Sequence, residues 1–94
     1  MIVKIARYSI REDTHSTVSA AIREFVQLIK QYEPDTYYEA FSLLDSLDFI
    51  HVMKFPNAQA EQKHRFADYT QKFVAILYPL CAQLPVFTDC SLIE

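Results

Sequence analysis

The side chains with which chemistry could begin are three histidines, two cysteines, an arginine set among apolar residues, and a scatter of tyrosines. His64 lies in a stretch that is polar from Ala58 to Arg65 and then turns apolar. On a helix it shares a face with Ala60 and Ala67. Small neighbours let such a face lie close to a sheet, with the imidazole pointing into a pocket. Imidazole titrates near neutral pH, which makes His64 the candidate general base, a role typically worth ~10²–10⁴-fold in rate. The competing reading is a hydrogen-bonded structural or surface histidine. His51 has the strand parity of Phe49, Met53 and Phe55, as a pocket-lining group or a satisfied polar group in a barrel interior. His15, at the start of a helix, reads as solvated.

The histidines and Cys81 and Cys90 show no metal-ligand spacing, so no zinc site is expected. There is no Ser-His-Asp or Cys-His signature, although such sites can assemble from distant positions. Arg7 sits on an apolar strand, where a charge needs a partner. It could hold an anionic substrate group, and an ion pair with Glu39 or Asp89 is the preferred alternative. Tyr38 and Tyr69 can hydrogen-bond an aromatic ligand or simply pack. Phe66, Phe73 and Leu77 form a stripe that is core first and pocket wall second, and Met53 would add to that wall.

Positioning these groups requires a set of elements that alternation and periodicity mark out. Residues 2–10 read as a strand. Arg11 to Thr14 supply a turn and a helix cap. Val18, Ala21, Ile22, Phe25, Leu28, Ile29 and Tyr32 recur at helical spacing over residues 15–32. Glu33-Pro34-Asp35 ends that helix. Strands are expected at 36–44 and 48–55, joined by a turn at Asp45-Ser46-Leu47. A second helical stretch opens at Pro56-Asn57, with a break near Asp68-Tyr69 and a kinked last turn at Pro79. Pro85 precedes a final strand, Val86 to Ile93. Strand, helix, strand, strand, helix, strand predicts an α+β fold: a ferredoxin-like βαββαβ unit with a four-stranded antiparallel sheet.

Ninety-four residues suit one domain spanning 1–94. Hydrophobic residues make up 51% of the chain, although it contains no glycine. Parity makes both sheet faces apolar: Val3 and Ile5 oppose Ile2, Ala6 and Tyr8, and Phe49, Met53 and Phe55 oppose Ile50 and Val52. A bare face would exceed the roughly 300–600 Å² of the largest apolar patch on a typical monomer. A homodimer through the helix-free sheet face is therefore expected. The net charge of −3 and the absence of a Lys/Arg cluster argue against nucleic acid. No apolar run suits a membrane span. Without glycine, phosphate loops and the dinucleotide fingerprint are excluded. Two cysteines without a signal peptide fit buried, reduced thiols in the cytoplasm.

The chain resembles the antibiotic biosynthesis monooxygenase (ABM) domains of the dimeric α+β barrel superfamily over essentially its whole length. The likeness rests on Ile2 to Tyr8 as the first strand, and on Phe25 through Glu33-Pro34 as the first helix with its closing Glu-Pro pair. Phe49 to Phe55 corresponds to the third strand, His64 to a His common at that point, and Phe73 through Pro79-Leu80 to the following helix. Asp35 stands where the family often has Gly. Met53 and Phe55 stand where a Glu and a Trp are common, and Tyr69 where a second His often falls. The resemblance implies a barrel-forming dimer with a small pocket between sheet and helices in each subunit. It also implies cofactor-independent oxygenation of a small aromatic or phenolic molecule with His64 as base. Arg7, Tyr38, His51, Met53, Phe66, Tyr69 and Phe73 would surround the substrate. The alternatives are a non-catalytic small-molecule-binding or structural dimer module, and an isomerase of a small carbonyl compound. Haem degradation is disfavoured, since relatives with that activity use a Trp and this chain has none.

Overall fold

In the computed structural model, which describes residues 1–94, the chain runs as β1 (Ile2–Ile10), α1 (His15–Tyr32), β2 (Tyr37–Ser42) and β3 (Asp48–Phe55). It continues as α2 (Ala58–Phe66), α3 (Asp68–Leu77), a 3-10 turn (Tyr78–Leu80) and β4 (Cys81–Cys90). The four strands form one antiparallel sheet in the order β2-β3-β1-β4, the ferredoxin-like arrangement expected. β1, α1 and β3 have their expected bounds, and β2 is shorter at both ends. The chain passes through the left-handed region at two residues, Asp13 and Asp45. Aspartate tolerates that conformation better than most residues with a Cβ, which suits a chain without glycine.

The helices cover one face of the sheet. Val18, Ile22, Phe25 and Ile29 form the buried stripe of α1, and Thr70, Phe73 and Leu77 that of α3. They pack on Ala6, Tyr8, Ile10, Tyr38, Phe49, Met53 and Phe55, the strand residues of one parity. The cross-strand register fixes the other face. Ile5 lies opposite Val52 and Thr88, Arg7 opposite Ile50 and Val86, Val3 opposite Cys90, and Phe41 opposite Ile50. No helix covers this second face, where Val3, Ile5, Ile50 and Val52 are only partly buried while Tyr37, Phe41, Val86 and Cys90 are exposed.

Several expectations need correction. The last strand begins at Cys81, not Val86, and ends before Leu92 and Ile93. Pro85 does not block it, because β4 is an edge strand and the pairing register with β1 shifts between Arg7 and Ser9. Proline is tolerated at edges and irregularities, where its missing N–H costs no ladder bond. Cys90 is exposed, and only Cys81 is buried. The expected helix break falls at Ala67, whose extended backbone separates α2 from α3. That break rotates Phe66 into solvent, so it leaves the stripe assigned to it.

Candidate active site

A cavity of about 450 Å³ opens between the sheet and helices α1, α2 and α3. β1 contributes Ala6 and Tyr8, β2 contributes Tyr38, and β3 contributes His51, Met53 and Phe55. Phe25 comes from α1, Glu61 and His64 from α2, and Thr70, Phe73 and Leu77 from α3. Stacked Phe25 and Phe73 rings, with centroids 4.3 Å apart, make one apolar wall.

His64 reaches this cavity from the buried side of α2, which it shares with Glu61. Asn57 holds the start of that helix: its side chain accepts a hydrogen bond from the Ala60 backbone N–H at 2.9 Å. The Nδ1–H of His64 donates to Glu33 Oε2 at 3.0 Å. Glu33 is the residue that caps the C-terminus of α1, and although charged it is only 4% exposed. Tyr69 also donates to Oε2, and Thr36 donates to Oε1 at 3.1 Å. Burial alone would raise the Glu33 carboxyl. The hydrogen bonds from His64, Tyr69 and Thr36, with the charge attraction of His64, outweigh it and hold the group below its usual range. Because Glu33 accepts at Nδ1, the imidazole presents Nε2, which has no protein partner, as a proton acceptor. A carboxylate fixing one ring nitrogen of a cavity-lining imidazole and leaving the other free is the base–orienter geometry of general base catalysis.

A second imidazole differs in kind. His51 is 1% exposed, with Tyr8 Oη 2.7 Å from Nε2 and Tyr38 Oη 2.7 Å from Nδ1. Burial lowers its pKa to about 4, so it stays neutral. Burial first, and Cys81 second, push the Tyr8 phenol far above its ordinary range. Burial, then Tyr8 and Glu33, do the same to Tyr38. The Tyr38 ring lies between the two imidazoles, 5.5 Å from His64 and 5.6 Å from His51. Thr70 Oγ1 is buried without a hydrogen-bond partner. The cations at the margin are paired, Lys4 with Asp89 at 3.5 Å and Arg65 with Glu61.

Of the residues expected at the site, His64, Tyr38, His51, Met53 and Phe73 line the cavity. Arg7 does not. It is exposed on the helix-free face and forms no salt bridge, Asp89 pairing with Lys4 and Glu39 accepting from Tyr37. Its parity with Val3 and Ile5 already placed it there. Phe66 is 68% exposed, beneath the Arg65 guanidinium. Tyr69 serves Glu33 instead of lining the cavity. His15 is exposed, as expected. Sequence reasoning missed Glu33, Tyr8, Phe25, Glu61 and Thr70. Strand parity could have found Tyr8, and helical spacing could have found Phe25 and Thr70. For Glu33 the one signal was its place in the Glu-Pro pair that closes α1.

Fold and site together define a ferredoxin-like α+β protein with a carboxylate-oriented histidine facing an aromatic cavity. Several solved structures with this architecture, though not all, carry the name that the sequence resemblance implied. An antibiotic biosynthesis monooxygenase matches with a TM-score of 0.90 and 19% identity, over 100% of both chains. A protein from Nitrosomonas europaea bearing that name provisionally matches with a TM-score of 0.90 and 14% identity, again over 100% of both. Rv0793 from Mycobacterium tuberculosis matches with a TM-score of 0.87 and 17% identity, over 99% of this chain and 95% of its own. Identities this low carry the architecture alone. No family model matches the chain, and no curated protein matches it.

Proposed function

We propose that the cavity is the active site of a small cofactor-independent monooxygenase acting on a phenol-like aromatic molecule, with His64 as the base. The observation that supports this best is the Glu33–His64 pair: the imidazole lines the cavity, with Nδ1 held by Glu33 and Nε2 without a protein partner. Nε2 removes the acidic proton, and Glu33 offsets the charge of the imidazolium that results. The electron-rich carbanion or phenolate then reduces O₂ and joins it as a carbon-bound peroxide. Loss of water from the peroxide, with His64 returning its proton, leaves one oxygen atom on the substrate carbon as a carbonyl. O₂ is the oxidant and the substrate carbon is oxidised. Met53, Phe55, Phe25 and Phe73 keep water from the anion. The names of the structural neighbours favour this chemistry. A panel of phenols and anthrone-like compounds under isotopically heavy O₂ tests it. One labelled oxygen in a product is expected, and unchanged compounds across the panel would count against the reading.

A second reading, a binding module without turnover, is favoured by the same carboxylate. Glu33 joins the end of α1 to α2 through His64, to α3 through Tyr69 and to the approach to β2 through Thr36. In this reading His64 is a structural clamp. Thermal stabilisation by a compound recovered chemically unchanged would support it. Under either reading we propose that the helix-free sheet face pairs with that of a second copy, which the exposed apolar side chains described above favour.

A further inference from the structure

We propose that Tyr8, His51 and Tyr38 form a neutral hydrogen-bond donor site in the cavity, which holds a carbonyl oxygen of a ligand whose acidic hydrogen faces His64. The inference deepens the reading above and rests on the cavity being a ligand site, though not on oxygen chemistry.

The three groups carry more donor hydrogens than the bonds between them can use. A neutral imidazole has one N–H and one lone pair. Each tyrosine hydroxyl makes its one protein hydrogen bond to His51, at 2.7 Å on either side. The three groups carry three donor hydrogens between them: two O–H and one N–H. Two bonds use two of these. Whichever tautomer His51 adopts, one tyrosine donates to the ring and the other accepts from it. The accepting tyrosine is left with an O–H that has no protein acceptor. Both tyrosines are buried, at 5% and 6% exposure, and both line the cavity. A buried donor without an acceptor is costly, and a ligand oxygen would relieve it. No formal charge is available here: His51 stays neutral, and the cations at the cavity margin already have carboxylate partners. The site therefore suits a neutral acceptor oxygen over a carboxylate or phosphate. With His64 Nε2 accepting elsewhere in the cavity, the occupant is an uncharged aromatic molecule bearing an acidic hydroxyl and a separate carbonyl.

The test compares para-hydroxyacetophenone, which has both groups, with para-ethylphenol, which lacks the carbonyl. Calorimetry should show the ketone binding the unaltered protein about fivefold more tightly, the worth of one neutral hydrogen bond. The infrared carbonyl stretch of the bound ketone should lie below its frequency in an alkane. The preference should vanish in Tyr8→Phe or in Tyr38→Phe, and so identify the tyrosine that holds the free hydrogen. Equal binding of the two probes, or an unshifted carbonyl stretch in the unaltered protein, overturns the donor site while leaving the cavity a ligand site. So does a preference that survives in both tyrosine variants, or one lost only in Thr70→Val, where the other unpartnered hydroxyl would be the donor. Failure of the unaltered protein to bind either probe overturns the donor site together with the reading on which it rests. The infrared arm needs no variant, so misfolding of a tyrosine variant leaves the outcome decided.

Discussion

Of the two buried histidines, one is tied to a carboxylate and the other to two phenols, and that difference decides what each can do with a proton. Glu33 places a counter-charge 3.0 Å from Nδ1 of His64, which favours an imidazolium there. His51 has no anionic partner among its hydrogen bonds, and burial lowers it from an ordinary 6.5 to about 4. Between those values the unfolded chain binds a proton that the folded chain refuses, so stability rises with pH there. The His51 contribution is complete above pH 6.5 and is lost as pH falls towards 4. Glu33, also lowered, adds a contribution present above its ordinary 4.5 and lost as pH falls further. Urea denaturation from pH 7 downward should therefore show stability falling already above pH 5, with a shallower fall in His51→Gln. Parallel pH dependences in the two proteins would contradict this. The histidines were visible in the sequence, and strand parity was enough to put His51 beside Met53. The partner of His64 was not visible. Glu33 is 31 residues away, and beside proline it reads as helix punctuation. The C-cap conformation, with the carboxylate buried beneath three donors, is a tertiary result.

At the scale of elements, α2 is the least self-supporting piece of the site. It has nine residues, mostly polar, and only Glu61 and His64 are buried. So short a helix depends on its ends and its packing. The Asn57 cap should matter out of proportion: Asn57→Ala should cost about 1 kcal/mol, read as a lowered thermal midpoint, and Asn57→Asp much less. Equal losses in the two variants would show that the cap is not the cause. The same element shows where periodicity runs out. Helical spacing carries Phe66 smoothly into the Phe73 and Leu77 stripe, but the extended backbone at Ala67 resets the phase. β4 fails differently. Pro85 reads as a boundary, and only knowledge that β4 lies at the sheet edge shows that the strand can pass through it. By contrast β1, α1 and β3 were legible because alternation, a clean helical stripe and a closing proline all agreed.

For the whole molecule, the asymmetry of the sheet is the dominant fact: one face encloses the cavity and the other presents Val3, Ile5, Ile50, Val52, Phe41 and Val86 without cover. Pairing two such faces is expected to give a dimer at micromolar concentration. Sedimentation should report twice the chain mass for the unaltered protein and a shift towards monomer for Ile50→Lys. A stable monomer from the unaltered protein would remove the pairing. The cavity lies on the far side of the sheet, so its chemistry can be tested separately. The most direct measurement is oxygen consumption with whichever phenolic compound the protein turns over, comparing the unaltered protein with His64→Ala. The base assignment predicts a fall of at least ~10²-fold in kcat. Consumption at the same rate in both proteins, or none with any compound of the panel, would contradict it.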